Sequence, residues 1–136
     1  MQYKKFIGLN DDIIKIRTDV FIKEQGFKDE FDETDKTCFH IVLYENETPV
    51  ATCRYFEKDG SYHIGRVAVI KEYRGLHLGE KIMNIAENEI RKCAGQTIEV
   101  SAQVRVKKFY EKLGFQAVGE TYFDEYCEHV RMVKKL

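Results

Sequence analysis

The sequence predicts one mixed α/β domain in which an antiparallel meander is joined to a parallel strand pair and flanked by helices. Three observations carry this. Residues 41–44, 50–56 and 62–70 are β-prone runs separated only by the polar stretch from Glu45 to Pro49 and by a turn containing Asp59-Gly60, connections that suit antiparallel neighbours. At Leu78 the hydrophobic period changes from two to 3.6 and at Thr97 it changes back, so the stretch from Tyr62 to Val100 reads strand, helix, strand with a right-handed crossover. A length of 136 residues, 43% of them hydrophobic and 33% charged, matches a single domain over residues 1–136 with a core of ordinary size.

In chain order, residues 4–9 form a first strand. Asn10 then offers an N-cap, Asp11 and Asp12 suit the positive end of a helix, and Ile13, Ile16, Val20 and Phe21 recur at helical spacing up to a stop near Gly26. Residues 28–36, KDEFDETDK, read as an ordered or semi-ordered acidic loop with one apolar residue, Phe31. After the meander, Leu78, Ile82, Ile85, Ala86, Ile90 and Cys93 form one helical stripe closed by Gly95. Ile98, Val100 and Ala102 alternate with Thr97, Glu99 and Ser101 as in a strand. Val106, Phe109, Tyr110 and Leu113 restore the helical period before Gly114, and strands at about 115–123 and 129–135 close the chain.

Composition excludes several function classes. The formal net charge is -1, from 22 basic and 23 acidic side chains, so no global field gathers polyanions and nucleic-acid binding is not expected. No apolar run approaches the roughly 20 residues of a membrane helix, and no membrane association is expected. Residues 1–5 lead into alternating polar and apolar positions rather than the apolar core of a signal peptide, which points to the cytoplasm. The four cysteines, Cys38, Cys53, Cys93 and Cys127, are then expected to be reduced and mostly buried.

The segment between the strand ending at Ile70 and the helix from Leu78 has the ingredients of a phosphate cradle. Ligands of parallel strand pairs bind at the carboxyl ends of the strands, beside the N-terminus of the crossover helix. Here Gly75 and Gly79 allow close approach of backbone N–H groups, the helix start adds unpaired donors, and Arg74 can neutralise a diphosphate. An ordinary strand-to-helix turn has the same residues, so the loop alone does not decide.

The second half adds weight. Arg74-Gly75-Leu76-His77-Leu78-Gly79 is followed, after a strand, by residues 103–115, QVRVKKFYEKLGF. Together these resemble the signature of the GNAT superfamily of N-acetyltransferases: an Arg/Gln-x-x-Gly-x-Gly/Ala loop, then an Asn-x-x-Ala-x-x-Phe-Tyr-x-x-x-Gly-Phe helix. Val20-Phe21-Ile22-Lys23-Glu24-Gln25, Ser101-Ala102-Gln103 and His129 look like the ElaA-like branch, and the resemblance extends over nearly the whole chain. Two departures stand out: His77 replaces the first loop glycine and Gln103 the usual asparagine. A positive φ at that loop position would suit histidine less well than glycine.

The resemblance implies a GNAT-like central sheet with a V-shaped opening between two parallel strands, and acetyl-CoA as co-substrate. Val67, Ala68 and Val69 would bind the pantetheine arm through their backbone, with an N–H near Val69 polarising the thioester carbonyl. Arg74 and the backbone of Gly75, Leu76, His77, Leu78, Gly79 and Glu80 would hold the diphosphate, and Gln103 would join the cofactor site. Tyr110 maps to the tyrosine that protonates the departing thiolate; Phe109-Tyr110 is equally good core packing.

The acceptor amine, a small molecule or a peptide, must lose a proton, and Glu24, His40, Glu99 and His129 are the candidates for the base or for acceptor binding. Arg54 and Arg66 suit an anionic part of the acceptor or, the favoured reading, pairing with acids such as Glu24 or Asp35. The acidic stretch from Asp29 to Asp35 either rims the cleft for a cationic acceptor or is a solvated loop. Lys107 or Lys108 could meet the 3′-phosphate of the coenzyme, though exposed helix lysines are commonplace. No metal is expected: Cys38-x-His40 and Cys127-x-His129 lack zinc-ligand spacing, and Cys127 with His129 as an acyl relay is less simple than direct transfer. The alternatives are a non-catalytic acyl-CoA sensor of the same fold and a dinucleotide binder, the latter disfavoured because the glycine loop follows a meander. An exposed terminal strand would allow a homodimer.

Overall fold

The computed structural model describes residues 1–136. Its ten regular elements are β1 (Gln2–Ile7), α1 (Asp11–Arg17), β2 (Phe39–Glu45), β3 (Thr48–Lys58), β4 (Ser61–Val69), α2 (Leu78–Lys92), β5 (Thr97–Gln103), α3 (Lys107–Lys112), β6 (Gln116–Asp124) and β7 (Cys127–Lys135). All seven strands join one mixed sheet in the order β1-β2-β3-β4-β5-β7-β6, in which β4 and β5 alone run parallel. This is the expected meander and crossover.

The sheet is covered on both faces, and β2 shows why. Ile41 and Leu43 point into a core shared with Ile82, Ala86 and Ile90 of α2, whereas Val42 and Tyr44 point into a second core with Ile13, Ile16 and Phe21. Period-two alternation thus feeds two cores, which accounts for the continuous apolar run at 41–44. No helix is long and apolar enough to cross a membrane.

Asn10 caps α1 as expected, its Oδ1 accepting the Ile13 N–H at 2.9 Å. Beyond Arg17 the winding widens to a π-helix over Thr18–Glu24 before Gly26, at φ +80°, stops it. The acidic loop differs more. Asp32 caps a 3-10 turn at Glu33–Lys36, and Glu30 and Asp35 are buried rather than solvated. The fully buried Arg17 donates to Glu30 Oε2 at 2.8 Å and to both Asp35 oxygens at 2.6 and 3.0 Å. Arg54 joins Asp35 at 2.8 Å and Asp32 at 2.7 Å, while Arg66 reaches Glu30 at 3.2 Å, so three arginines meet three carboxylates. Both arginines pair with acids, as the favoured reading has it, and Arg66 also lines the cavity described below.

All four cysteines are free, but only Cys38 and Cys53 are buried; Cys127 is half-buried and Cys93 is exposed, because it caps the end of α2 where the stripe runs out of the core.

Candidate active site

The cleft arises where β4 and β5 part. The two strands pair only at Tyr62↔Ile98 and His63↔Glu99, and beyond that point each keeps its other neighbour: β3 for β4, β7 for β5. A bulge in β4 drives the separation. The register with β3 shifts between Arg54↔Gly65 and Thr52↔Ala68, and Arg66 takes the left-handed φ of +52°. Below the bulge the Ile70 N–H donates to the Val50 carbonyl on the β3 side at 2.9 Å. Strand alternation therefore turns the N–H and C=O of Val69 to the opposite edge, into the opening.

The resulting cavity, about 450 Å³, is lined by Val67, Ala68, Val69, Arg74, Gly79, Gln103 and Tyr110, all singled out in the sequence. Glu24 and His129 also reach it. Gly75, Leu76, His77 and Glu80 shape the loop and first turn at its mouth, and Leu78 turns into the core. His40 and Glu99 do not reach the cavity. Buried His40 donates from Nε2 to the Asp35 carbonyl at 3.1 Å, and Glu99, in one of the two pairs that join β4 to β5, accepts from Arg131 Nε at 2.6 Å.

The loop geometry separates the roles of its residues. His77 adopts φ +58°, the left-handed conformation expected of that position, and its imidazole is 87% exposed, clear of the cleft. Gly75 needs its freedom for φ +85°. Gly79 is small for another reason: a Cβ there would lie 3.3 Å from Phe109 Cζ, so it lets the start of α2 pack against α3. The first N–H groups of α2 have no acceptor within the helix, and Gly79 of this first turn lines the cavity.

Tyr110 is both a core residue and a wall of the cavity. It is 8% exposed, meets Phe109 and Phe115 edge-on at 5.0 and 5.9 Å, and still lines the cavity. Burial pushes its phenol well above the usual range, so it keeps its proton. His129 Nδ1 donates to the Cys127 carbonyl at 2.9 Å, and the ring stacks on Tyr122, so Nε2 is the nitrogen not engaged by this bond.

Glu24 is engaged: Arg74 Nη1 and Nη2 donate to its two oxygens, the latter at 2.8 Å, and the hydrogen bond from Arg74 holds its carboxyl below the usual range. Gln103, longer than the usual asparagine, donates to Gln25 Oε1 at 2.9 Å and accepts from Arg105 Nε at 2.8 Å. Asp29 and Glu30, from the acidic stretch considered as a rim, line the cavity, whereas Phe21 and Phe27 as an apolar wall and Arg105 and Asp124 as charged rim residues were not foreseen in the sequence. Gln25 lay within the quoted helix motif, whereas Arg105 and Asp124 had no local signal.

A metal does not fit. Asp35, Cys38 and His40 offer ligand atoms within 4.8 Å of one another, but the Asp35 oxygens are taken by Arg17 and Arg54, and burial pushes the Cys38 thiol up to about 11. Cys127 and His129 lie on β7, with β3, β4 and β5 between them and β2, so the two pairs cannot share an ion.

Residues 12–136 match a family model described as "Acetyltransferase (GNAT) domain". The chain is 32% identical over 138 residues to the uncharacterized N-acetyltransferase YjcF of Bacillus subtilis, covering 96% of this chain and 99% of that one. The crystal structure of Escherichia coli ElaA superposes with a TM-score of 0.85 at 25% identity, covering 98% of each chain. A GNAT family acetyltransferase from Elizabethkingia anophelis with acetyl-CoA bound shares the fold, with a TM-score of 0.78 at 10% identity over 99% of this chain and 97% of that one.

Proposed function

The chain belongs to the GNAT acetyltransferase family, which makes it an acetyl-CoA-dependent acyltransferase, and we propose that it transfers the acetyl group to a primary amine by direct attack in a ternary complex. The observation that supports this most is the free edge of β4 beyond the bulge, with the Val69 N–H facing a cavity that Tyr110 also lines. Acetyl-CoA supplies an activated thioester. The backbone of Val67, Ala68 and Val69 binds the pantetheine arm, and the Val69 N–H stabilises the charge that develops on the carbonyl oxygen. Arg74 and the backbone N–H groups from Gly75 to Glu80 take the diphosphate.

Tyr110 donates the proton that the departing thiolate needs; a thiolate is a good leaving group, so this help lies at the low end of general acid catalysis, about a hundredfold. For the base, His129 is the choice the hydrogen bonds favour, because Glu24 is tied to Arg74 while His129, in the cavity wall, engages the Cys127 carbonyl through Nδ1 and has Nε2 to offer. The exposed carboxylates of Asp29 and Asp124 at the rim attract a cationic acceptor, small molecule or peptide. Holding both reactants in line supplies much of the rate.

Release of free thiol from acetyl-CoA across a panel of amines tests the reading. Turnover with at least one amine is expected, whereas tight CoA binding without thiol release on any amine would fit the sensor alternative instead. The four free thiols and the need for acetyl-CoA support a cytoplasmic site of action, which cell fractionation checks. Strand β6, exposed along its whole length, supports a homodimer formed by edge pairing; sedimentation as a monomer at micromolar concentration would exclude it.

A further inference from the structure

The mouth of the cleft holds an ion pair that the transfer chemistry does not require. Two nitrogens of the Arg74 guanidinium donate to the two oxygens of Glu24, and its Nε donates to the Val69 carbonyl at 3.1 Å. Fifty positions separate the partners in sequence, so this is a contact across the fold and not a local turn. Glu24 ends the π-wound segment, and its neighbour Gln25 is held by Gln103 at the end of β5. Two adjacent residues therefore tie both arms of the opening, one to the loop after β4 and one to β5.

A guanidinium presents a planar fork that accepts either a carboxylate or a phosphate in the same bidentate geometry. The oxygens of Glu24 occupy the fork where two phosphate oxygens would sit. We propose that the Glu24 carboxylate is an internal stand-in for the diphosphate of CoA, filling the anion position on Arg74 in the free protein, yielding it when the coenzyme arrives and reclaiming it as CoA leaves. This rests on the reading of Arg74 as a diphosphate ligand. Exposure makes the exchange feasible: the side chains of Arg74 and Glu24 are 40% and 34% exposed, so water can solvate either partner during the swap. The Arg17–Asp35 pair, at 0% exposure on both sides, has no such route. Lys71 and Arg105 act on the Glu24 charge as well and would keep the displaced carboxylate at the mouth.

A carboxylate that only orients Arg74 would have the opposite consequence. Its removal would loosen the guanidinium and weaken CoA binding, whereas removal of a competitor strengthens it. Calorimetric titration of wild type, Glu24→Gln, Glu24→Ala and Arg74→Ala with CoA, and with pantetheine as a probe lacking the diphosphate, distinguishes the two. Both Glu24 variants are expected to bind CoA about twofold to fivefold more tightly, the range an exposed ion pair commands, with pantetheine affinity unchanged. Arg74→Ala is expected to weaken CoA. If Arg74→Ala leaves CoA affinity intact, the diphosphate reading itself fails. If Arg74→Ala weakens CoA while the Glu24 variants bind it equally or less well, or tighten pantetheine by the same factor, the stand-in is overturned and the cofactor site stands.

Discussion

Tyr110 illustrates how one side chain serves two masters. Its ring belongs to the core with Phe109 and Phe115 while its hydroxyl borders the cavity, and burial keeps that hydroxyl protonated well past its usual pKa of about 10. Tyr110→Phe keeps the ring, so the melting temperature should barely move. The variant should lose about a hundredfold in kcat with little change in the KM for acetyl-CoA, and steady-state thiol release reads both. Full activity in the variant at every pH tested would remove the acid role. Because the phenol stays protonated, the wild-type rate should show no alkaline fall attributable to it up to about pH 10. Tyr110 was legible only through resemblance, since its spacing alone equally describes packing. The pairing of Gln103 with Gln25 had no sequence signal, because an amide's partner 78 positions away leaves no local trace.

Among the elements, the crossover from β4 through α2 to β5 was readable because each boundary coincides with a change of hydrophobic period and a glycine follows α2. The π-wound segment was not, since Val20 and Phe21 are its only buried residues and two neighbours cannot distinguish 3.6 from a wider turn. The bulge in β4 escaped for a similar reason: Arg66 adopts a left-handed φ without the glycine that usually announces it. The contact between α2 and α3 at Gly79 carries its own test. In Gly79→Ala the added methyl presses on Phe109, a cost of about 1 kcal/mol that alanine's helix propensity offsets by about the same amount. The melting temperature should therefore stay nearly constant while the KM for acetyl-CoA rises several-fold, as Phe109, a wall of the cavity, is displaced. An unchanged KM would show that Phe109 yields without narrowing the cleft.

For the molecule as a whole, acid stability should depend on the buried ionic cluster that the linear sequence concealed, its arginines lying 13 to 36 positions from the acids they bind. Burial alone would raise the Asp35 carboxyl, but hydrogen bonds from Arg17, from the Asp32 N–H and from Arg54 outweigh it and hold the group well below the carboxylate range. A depressed folded pKa gives a contribution that is complete above the unfolded value of about 3.8 and is lost as the pH falls through the folded one. The melting temperature should therefore fall steeply below about pH 3.8, and less steeply in Asp35→Asn, which starts from a lower plateau because buried Arg17 keeps Glu30 but loses one of its two counter-charges. Thermal melts at pH 2.5, 4 and 7 read this, and equal slopes in both proteins would assign the acid limb to other groups. The splayed strands have a last consequence. With only two residue pairs joining β4 to β5, the sheet is two slabs, β1 to β4 and β5 to β7, stitched along a short seam. Ladder bonds are scarcest at that seam, so a ligand held in the opening beside it should slow amide exchange in the flanking residues of β4 and β5, which hydrogen-exchange measurement with and without CoA reads.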